Sequence, residues 1–215
     1  MALLYLVRHG ETEINAQGRF NGGGVDSPLT AAGVAGAEAL HQLLARVTFD
    51  RIVVSPLPRA ITTARIVAGD HRTMTIDPRL RELALGDWDG QPLGDLAADQ
   101  AFINYRHHLT AWDYAAVHAE SYQSLVDRAG AAIRETATRV APDGKAMIVS
   151  HGIVTTVLAN VLTGVPLDNA RDSGQVDNAS VTILESTDGI WQKRAWNVTA
   201  ERAGELTAAQ RTLFN

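Results

Sequence analysis

Apolar residues fall into short runs that are spaced along the chain. LLYLV (3–7), RIVVS (51–55) and AMIVS (146–150) are rich in strand-forming residues, and each leads into a loop or the start of a helix. Continuous apolar runs of this length are typical of strands buried on both faces of a parallel sheet. Near the end, ASVTILE (179–185) and IWQKRAW (190–196) flank a short polar turn and predict a hairpin.

Helical patterns separate these strands, and each has residues that suit a helix terminus. Thr30 can cap the first helix, and Pro58 suits the first turn of the second. Ser121 or Ser124 can cap the third, and Gly164 can end the fourth. Alternating strands and helices predict an α/β fold, a three-layer sandwich with a mainly parallel central sheet flanked by helices. The predicted helices lie at about 31–47, 58–69, 121–140 and 152–164.

The chain predicts one domain over residues 1–215, because 215 residues can bury one sizeable core and no linker or repeat interrupts them. Residues 87–120 differ from the rest. They are turn-rich, aromatic and acidic, and we expect them to form an insertion that covers the functional site.

Charge and composition exclude several classes of function. A net charge of −5 argues against a nucleic-acid or anionic-membrane binder, which needs a broad basic face. The absence of cysteine excludes thiol chemistry and zinc–thiolate sites. No stretch approaches the ~20 apolar residues of a membrane span, so we expect a cytoplasmic protein. A homodimer is compatible with the sequence.

Basic side chains follow three of the predicted strands. Arg8 and His9 come after the first, Arg59 lies just after the second, and His151 follows the third. Ligands of open α/β sheets collect at the carboxyl ends of the strands. Arginine suits phosphate because its planar fork donates two parallel hydrogen bonds. The sequence therefore predicts a phosphate pocket in which Arg8 and Arg59 hold the phosphoryl oxygens.

Histidine beside arginine favours a nucleophile. Positive charge nearby lowers the pKa of a histidine, and a neutral imidazole keeps the lone pair that attack on phosphorus requires. We expect one of His9 and His151 to attack and the other to donate a hydrogen bond to the phosphoryl group. Glu82 is the available proton donor, since a phosphate dianion nearby should raise its pKa. Backbone amides near Gly152 and in the loop 22–24 can add donors.

A metal site is the alternative use of these residues. His9, Glu11, Glu82 and His151 are all possible ligands. Two arginines directed at the same point would repel a cation, however, so we predict neither a metal nor another cofactor.

The ordered motifs resemble a known family. LVRHGETEIN, GRFNG, DSPLTAAG, SPLPRAITTA, RELALGDWDG, VSHG and VDNASVTILE occur in this order over most of the chain. Together they are similar to the histidine phosphatase superfamily, in its phosphoglycerate-mutase-like branch. The resemblance implies an α/β sandwich with an insertion over the site, and catalysis without a metal.

The resemblance also implies roles for individual residues. His9 resembles the phosphorylated nucleophile and Glu82 the proton donor. The remaining matches are phosphate contacts, namely Arg8, Asn15, Asn21, Gly22, Arg59 and His151. The helix start at Gly152 adds a phosphate contact on physical grounds.

Two departures from the family pattern bear on the substrate. Mutases of this branch usually carry Asn after the second HG, where this chain has Ile153. They also bring cations from the segment after the glutamate motif, whereas residues 83–127 contain only Arg106. We therefore expect this cover to hold a doubly anionic substrate poorly.

Three functions remain open on the sequence alone. The first is a phosphatase that hydrolyses a small-molecule phosphomonoester through a phosphohistidine on His9. The second is a cofactor-dependent phosphoglycerate-type mutase with the same first step. The third is a module that binds a phosphorylated ligand without catalysis. The presence of every expected catalytic residue argues against this third function.

Overall fold

The computed structural model describes residues 1–94 and 99–215. The remaining residues, 95–98, belong to the predicted insertion at 87–120 and lie outside the described residues.

A six-stranded sheet forms the centre of the fold, with the strand order β3-β2-β4-β1-β5-β6. The first four strands in this order pair in parallel, and β5 runs antiparallel to both of its neighbours. The sheet is therefore mainly parallel, as the apolar runs predict. The strands are β1 (Ala2–Arg8), β2 (Arg51–Val54), β3 (Thr75–Ile76), β4 (Gly144–Ser150), β5 (Val181–Thr187) and β6 (Ile190–Val198).

The four predicted helices are present, and side-chain caps explain where two of them begin. The Thr30 hydroxyl accepts from the Gly33 amide at 3.0 Å, and the Ser121 hydroxyl accepts from the Ser124 amide at 3.1 Å. Ser121 is thus the cap of the two candidates. The helices are α1 (Glu13–Ala16), α2 (Ala31–Leu44), α3 (Pro58–Ala68), α4 (Gln100–His107), α5 (Tyr122–Val140), α6 (Gly152–Leu162) and α7 (Ala208–Arg211).

The two faces of the sheet bury separate apolar clusters. Leu4 and Leu6 of β1 pack in one cluster with residues of α5 and α6. Leu3, Tyr5 and Val7 point the other way and pack with residues of α2 and α3. Successive side chains of a strand face opposite sides, so a strand covered on both faces is apolar throughout. This arrangement confirms the three-layer sandwich.

Two features lie beyond the sequence patterns. β3 is a two-residue edge strand whose residues are both exposed, so no apolar run marks it. The chain end, for which the sequence predicts no element, packs Leu213 and Phe214 into the cluster on the α2 and α3 side. No helix among residues 1–94 and 99–215 combines the length and apolar character needed to cross a membrane.

Candidate active site

The motif residues meet because three strand ends lie side by side. Arg8, the last residue of β1, is in register with Ser150 of β4. The His9 amide then donates to the Ser150 carbonyl at 3.0 Å, and the Ser55 amide after β2 donates to the Val149 carbonyl at 3.0 Å. The predicted convergence at the carboxyl edge of the sheet is therefore present.

His9 is held in one tautomer. Its Nδ1 lies 2.8 Å from the Gly10 carbonyl oxygen, which can only accept, so Nδ1 carries the proton. The lone pair is then on Nε2. The ring is buried, and burial lowers the pKa of His9 well below its ordinary value, with the charges of Arg59 and Arg8 lowering it further. Burial is therefore the main cause of the low pKa that favours the predicted neutral imidazole of His9.

His151 lies against His9, with ring centroids 5.3 Å apart. Its Nε2 is 2.6 Å from the Ser55 hydroxyl oxygen, and its buried Nδ1 has no partner among the described residues. Burial and the charge of Arg59 lower the pKa of His151 well below its ordinary value. If the Ser55 hydroxyl donates to Nε2, the proton of His151 sits on Nδ1, where a phosphoryl oxygen could accept it.

Arg8 keeps part of its guanidinium unpaired. One Nη donates to the Val176 carbonyl at 2.5 Å, whereas the buried Nε has no partner in the described part of the chain. Burial lowers the pKa of Arg8 to about 10, an effect that Glu82 opposes. The group remains cationic at neutral pH and has a donor to spare for an anion.

Arg59 is fully buried and is bound to the loop 21–26. Its two Nη atoms donate to the Val25 carbonyl at 2.6 Å, to Asp26 at 2.9 Å and to the Gly22 carbonyl at 2.9 Å. Its Nε has no partner among the described residues. The charge of Arg59 is the largest electrostatic contribution to the low pKa of both histidines. In this state Arg59 tunes the histidines and holds the loop.

Glu82 lies at the start of α6. Its carboxylate accepts from the amides of Leu83 and Ile153, both at 2.9 Å, and of Val154 at 3.2 Å. Burial raises the pKa of Glu82, and these hydrogen bonds with the charges of Arg59 and Arg8 oppose the rise. Protonation of Glu82 is therefore easier than that of an exposed glutamate even before a phosphate binds.

The backbone amides of the glycine loop at 22–24 donate hydrogen bonds to other protein groups. The Gly23 amide donates to the Leu83 carbonyl and the Gly24 amide to Asp89, each at 2.8 Å. A Cβ on Gly22 would collide with the Asp89 carboxylate, so the loop packs tightly on this side chain. Because Glu82 likewise occupies the first amides of α6, most predicted backbone donors are engaged in this state.

A cavity of about 240 Å³ opens in front of His9. Five predicted site residues line it, namely Arg8, His9, Asn15, Asn21 and Glu82. The other four predicted residues, Gly22, Arg59, His151 and Gly152, lie outside the set of described residues that line it.

Asn15 and Asn21 form a polar part of the cavity wall. The Asn15 carbonyl oxygen accepts from the Thr12 hydroxyl at 3.1 Å, and the Asn21 amide donates to the same hydroxyl at 2.9 Å. These bonds fix both side-chain amides in the cavity wall, where a phosphoryl oxygen could meet them.

The cavity also contains residues to which the sequence analysis assigns no role in the site. Asn178 donates to the His9 carbonyl at 3.1 Å and belongs to VDNAS, which the sequence assigns only to a strand. Arg19, Arg171 and Gln175 line the cavity from outside the predicted cover. Of the arginines among the described lining residues, only Arg106 comes from the cover, so the expectation about doubly anionic substrates stays a prediction.

The metal alternative finds no support in this geometry. Among residues 1–94 and 99–215, no group of three or more His, Cys, Asp or Glu side chains is placed to hold an ion. Glu11 instead accepts a hydrogen bond from the Thr30 hydroxyl at 2.7 Å.

Comparison with known proteins gives consistent matches. The family model described as histidine phosphatase superfamily (branch 1) matches residues 4–199. A probable phosphoglycerate mutase from Shigella boydii is 33% identical, covering 96% of this chain and 94% of that protein. An adenosylcobalamin/alpha-ribazole phosphatase from Escherichia coli is 35% identical, covering 77% and 81%. A solved mycobacterial glucosyl-3-phosphoglycerate phosphatase, in complex with VO3, has a TM-score of 0.82 at 29% identity, covering 91% and 98%.

Proposed function

The chain belongs to branch 1 of the histidine phosphatase superfamily, and from this we propose that it is a phosphomonoester phosphatase acting through a phosphohistidine on His9. One observation carries the proposal. A single cavity holds His9 with its lone pair on Nε2, Arg8 with an unpaired donor, and Glu82 with a raised pKa. These are a nucleophile, an anion holder and an acid.

The first step transfers the phosphoryl group to the enzyme. Nε2 of His9 attacks phosphorus, and the bond between phosphorus and the ester oxygen breaks. The proton of Glu82 passes to the leaving oxygen, so an alcohol departs rather than an alkoxide. Arg8, Asn15 and Asn21 hold the phosphoryl oxygens while their charge redistributes.

The second step returns the enzyme to its starting state. Water attacks the phosphohistidine, the bond between phosphorus and Nε2 breaks, and Glu82, now a carboxylate, takes a proton from the water. Inorganic phosphate leaves. Arg59 helps to keep His9 neutral, and His151 and Arg59 add donors when phosphate is bound.

The substrate we propose is a small phosphomonoester, handled without metal or cofactor. The relatives named as phosphatases support hydrolysis. We further propose that residues 87–120 cover the site within a single domain, since Leu93, Tyr105 and Arg106 line the cavity. We also propose a cytoplasmic enzyme, alone or as a homodimer. The net charge of −5 supports our proposal that it binds no nucleic acid.

The test is phosphate release from p-nitrophenyl phosphate by the wild type and by His9→Ala. We expect turnover only with the wild type, and rapid acid-free quenching should trap phosphate on His9. Equal phosphate release by both proteins would refute His9 as the nucleophile. Phosphate binding with no phosphohistidine would indicate a binding module instead.

A mutase is the second candidate, favoured by the similarity to the probable phosphoglycerate mutase and by the cations of the cavity. It would pass the phosphoryl group of His9 to another hydroxyl rather than to water. Conversion of 3-phosphoglycerate to 2-phosphoglycerate that depends on bisphosphoglycerate, with little phosphate released, would decide for the mutase.

A further inference from the structure

The backbone that carries Glu82 is held by side chains. Glu82 follows a 3₁₀ turn at Pro78–Leu80 and belongs to no helix or strand. Four consecutive carbonyl groups of this segment accept hydrogen bonds from two side chains, Arg128 and Ser150. These carbonyls belong to Arg79, Leu80, Arg81 and Glu82. The path of the chain at the acid therefore depends on these two side chains.

Arg128, on α5, makes three of the four contacts. One Nη donates to the carbonyls of Arg79 and Arg81, each at 2.7 Å, and the other donates to the Glu82 carbonyl at 3.2 Å. Its Nε and the second Nη also bind the two carboxylate oxygens of Glu120, each at 2.6 Å. A guanidinium has five N–H donors, and all five have an acceptor here. Arg128 therefore has no donor left for a substrate.

Glu120 keeps the guanidinium in this orientation. The pair is bidentate, and the side chains of Arg128 and Glu120 are 23% and 16% exposed. The Glu120 carboxylate also accepts from the Ser124 hydroxyl at 3.0 Å, and its backbone amide donates to the Ala84 carbonyl at 2.8 Å. Because two parallel hydrogen bonds restrict the rotation of both groups, Glu120 fixes the direction of the donors that meet residues 79–82.

This backbone in turn determines where the Glu82 carboxyl lies. The carboxyl accepts from the amides of Ile153 and Val154 on α6, at 2.9 and 3.2 Å, and lines the cavity together with His9. The amides belong to a different element, so these bonds require residue 82 to keep its distance and orientation. A displacement of about 1 Å in a catalytic group can cost about 10²-fold in rate.

We propose that Arg128 is the positioning residue of the general acid Glu82. With Glu120, it fixes the carbonyls of residues 79–82 and so holds the acid in the cavity beside His9. Lysine could not do the same, because the three donors of one ammonium cannot serve three carbonyls and a bidentate carboxylate at once. The inference rests on the proposed function for the role of Glu82. It gives a part in proton transfer to a side chain outside the described lining of the cavity.

The first test uses the leaving group as its readout. We expect Arg128→Met to lower kcat/KM by about 10–100-fold for an alkyl phosphate and by no more than about threefold for p-nitrophenyl phosphate, whose leaving group needs no proton. Arg128→Lys should resemble Arg128→Met, because it keeps the charge and loses the geometry. The exposed Arg134→Met on the same helix should match the wild type. An equal loss on both esters would indicate general damage and overturn the proposal.

A double-mutant cycle tests whether Arg128 acts through Glu82. In the Glu82→Gln background, Arg128→Met should cause no further loss with the alkyl phosphate, because the acid is already absent. Losses that add in free energy would show that Arg128 acts on another group and would overturn the proposal. Should Arg128→Met fail to fold by circular dichroism, Glu120→Gln replaces it in both tests. That variant keeps the guanidinium but weakens its anchor, so the same pattern should appear with a smaller loss.

An NMR titration separates this inference from the proposed function, because it needs no turnover. In the wild type the amide resonances of Ile153 and Val154 should shift as Glu82 titrates, and in Glu82→Gln they should not. Arg128→Met should largely lose this response, whereas Arg134→Met should keep it. An unchanged response in Arg128→Met would overturn the inference whatever the activity. A lost response in a protein that hydrolyses no phosphomonoester would refute the proposed function and leave the positioning of Glu82 standing.

Discussion

Glu82 experiences two opposed influences whose balance sets its chemistry. Burial favours its protonated form, whereas three backbone amides and two arginines favour the carboxylate. The net effect raises its pKa, so the acid form persists to higher pH than in an exposed glutamate. The same donors can then stabilise the carboxylate that remains after the proton has left.

This balance predicts a dependence on the leaving group. We expect Glu82→Gln to lower kcat/KM for an alkyl phosphate by about 10²–10⁴-fold, the usual contribution of a general acid. The loss for p-nitrophenyl phosphate should be much smaller, because nitrophenolate leaves without a proton. Steady-state assays of both substrates decide the matter. Glu135→Gln, at a half-buried carboxylate that pairs with Arg79 and Arg139, serves as the control. An equal loss on both substrates would count against Glu82 as the acid.

The pH profile of the phosphatase activity should follow from the pKa shifts of Glu82 and His9. The alkyl phosphatase activity requires protonated Glu82, so it falls as pH rises through the raised pKa of that group. It also requires neutral His9, whose lowered pKa moves the acid limb well below the ordinary histidine range. Measured kcat/KM against pH should therefore stay high into acid. The Glu82→Gln variant should lose the decrease in kcat/KM at alkaline pH. If that decrease persists in the variant, it is caused by another group.

At the scale of elements, α2 positions the nucleophile through a close backbone approach. Gly33 in its first turn touches the loop after His9, so a Cβ there would collide with the Glu11 carbonyl, and one on Gly10 would lie 2.5 Å from the Gly33 carbonyl oxygen. The fixed position of the His9 loop therefore depends on two glycines from separate elements.

A methyl group at this contact should disturb catalysis. We expect Gly33→Ala to lower kcat/KM by about tenfold or more and to destabilise the fold by about 1–3 kcal/mol, as overpacking does. Gly36→Ala, on the next turn of α2, meets only the Ala179 methyl at 3.1 Å and gains helix propensity. Enzyme kinetics and urea unfolding compare the two. Wild-type kinetics in Gly33→Ala would show that the loop tolerates displacement.

The sequence predicts the helices and strands better than the site. Helices and strands depend on residues that are close along the chain, whereas the site depends on residues that are far apart along it. The apolar runs and the caps at Thr30 and Ser121 are local signals, and the structure confirms them. The burial of Arg171 depends instead on Tyr105 and Tyr122, which lie 66 and 49 residues away. Nothing in the sequence around Arg171 indicates such partners. Likewise, the binding of Arg59 to the loop 21–26 follows from tertiary packing alone.

At the scale of the whole molecule, the site joins segments from nearly the full length of the chain, from Arg8 to Asn178. An anion that binds there is held by groups that come together only in the folded state. Binding should therefore stabilise the entire fold rather than one element.

We accordingly predict that inorganic phosphate raises the melting temperature. At about 100 times its Kd a ligand adds about 2.7 kcal/mol, and each kcal/mol shifts the Tm of a chain of this size by about 2–4 °C. Arg8→Met should abolish the shift, whereas Arg139→Met, at an exposed ion pair, should retain it. Differential scanning fluorimetry over a phosphate titration measures both. A shift that survives in Arg8→Met would place the phosphate elsewhere.

The β5–β6 hairpin offers a point of attachment for physical measurements. Ser186 pairs with Ala2, at the amino end of β1, so the hairpin turn lies at the opposite edge of the sheet from His9. Ile190 in this hairpin is 68% exposed, and the chain contains no cysteine. A single Ile190→Cys substitution would thus give one thiol for a fluorophore or a surface tether. Immobilised in that orientation, every molecule would present its catalytic edge to the solution.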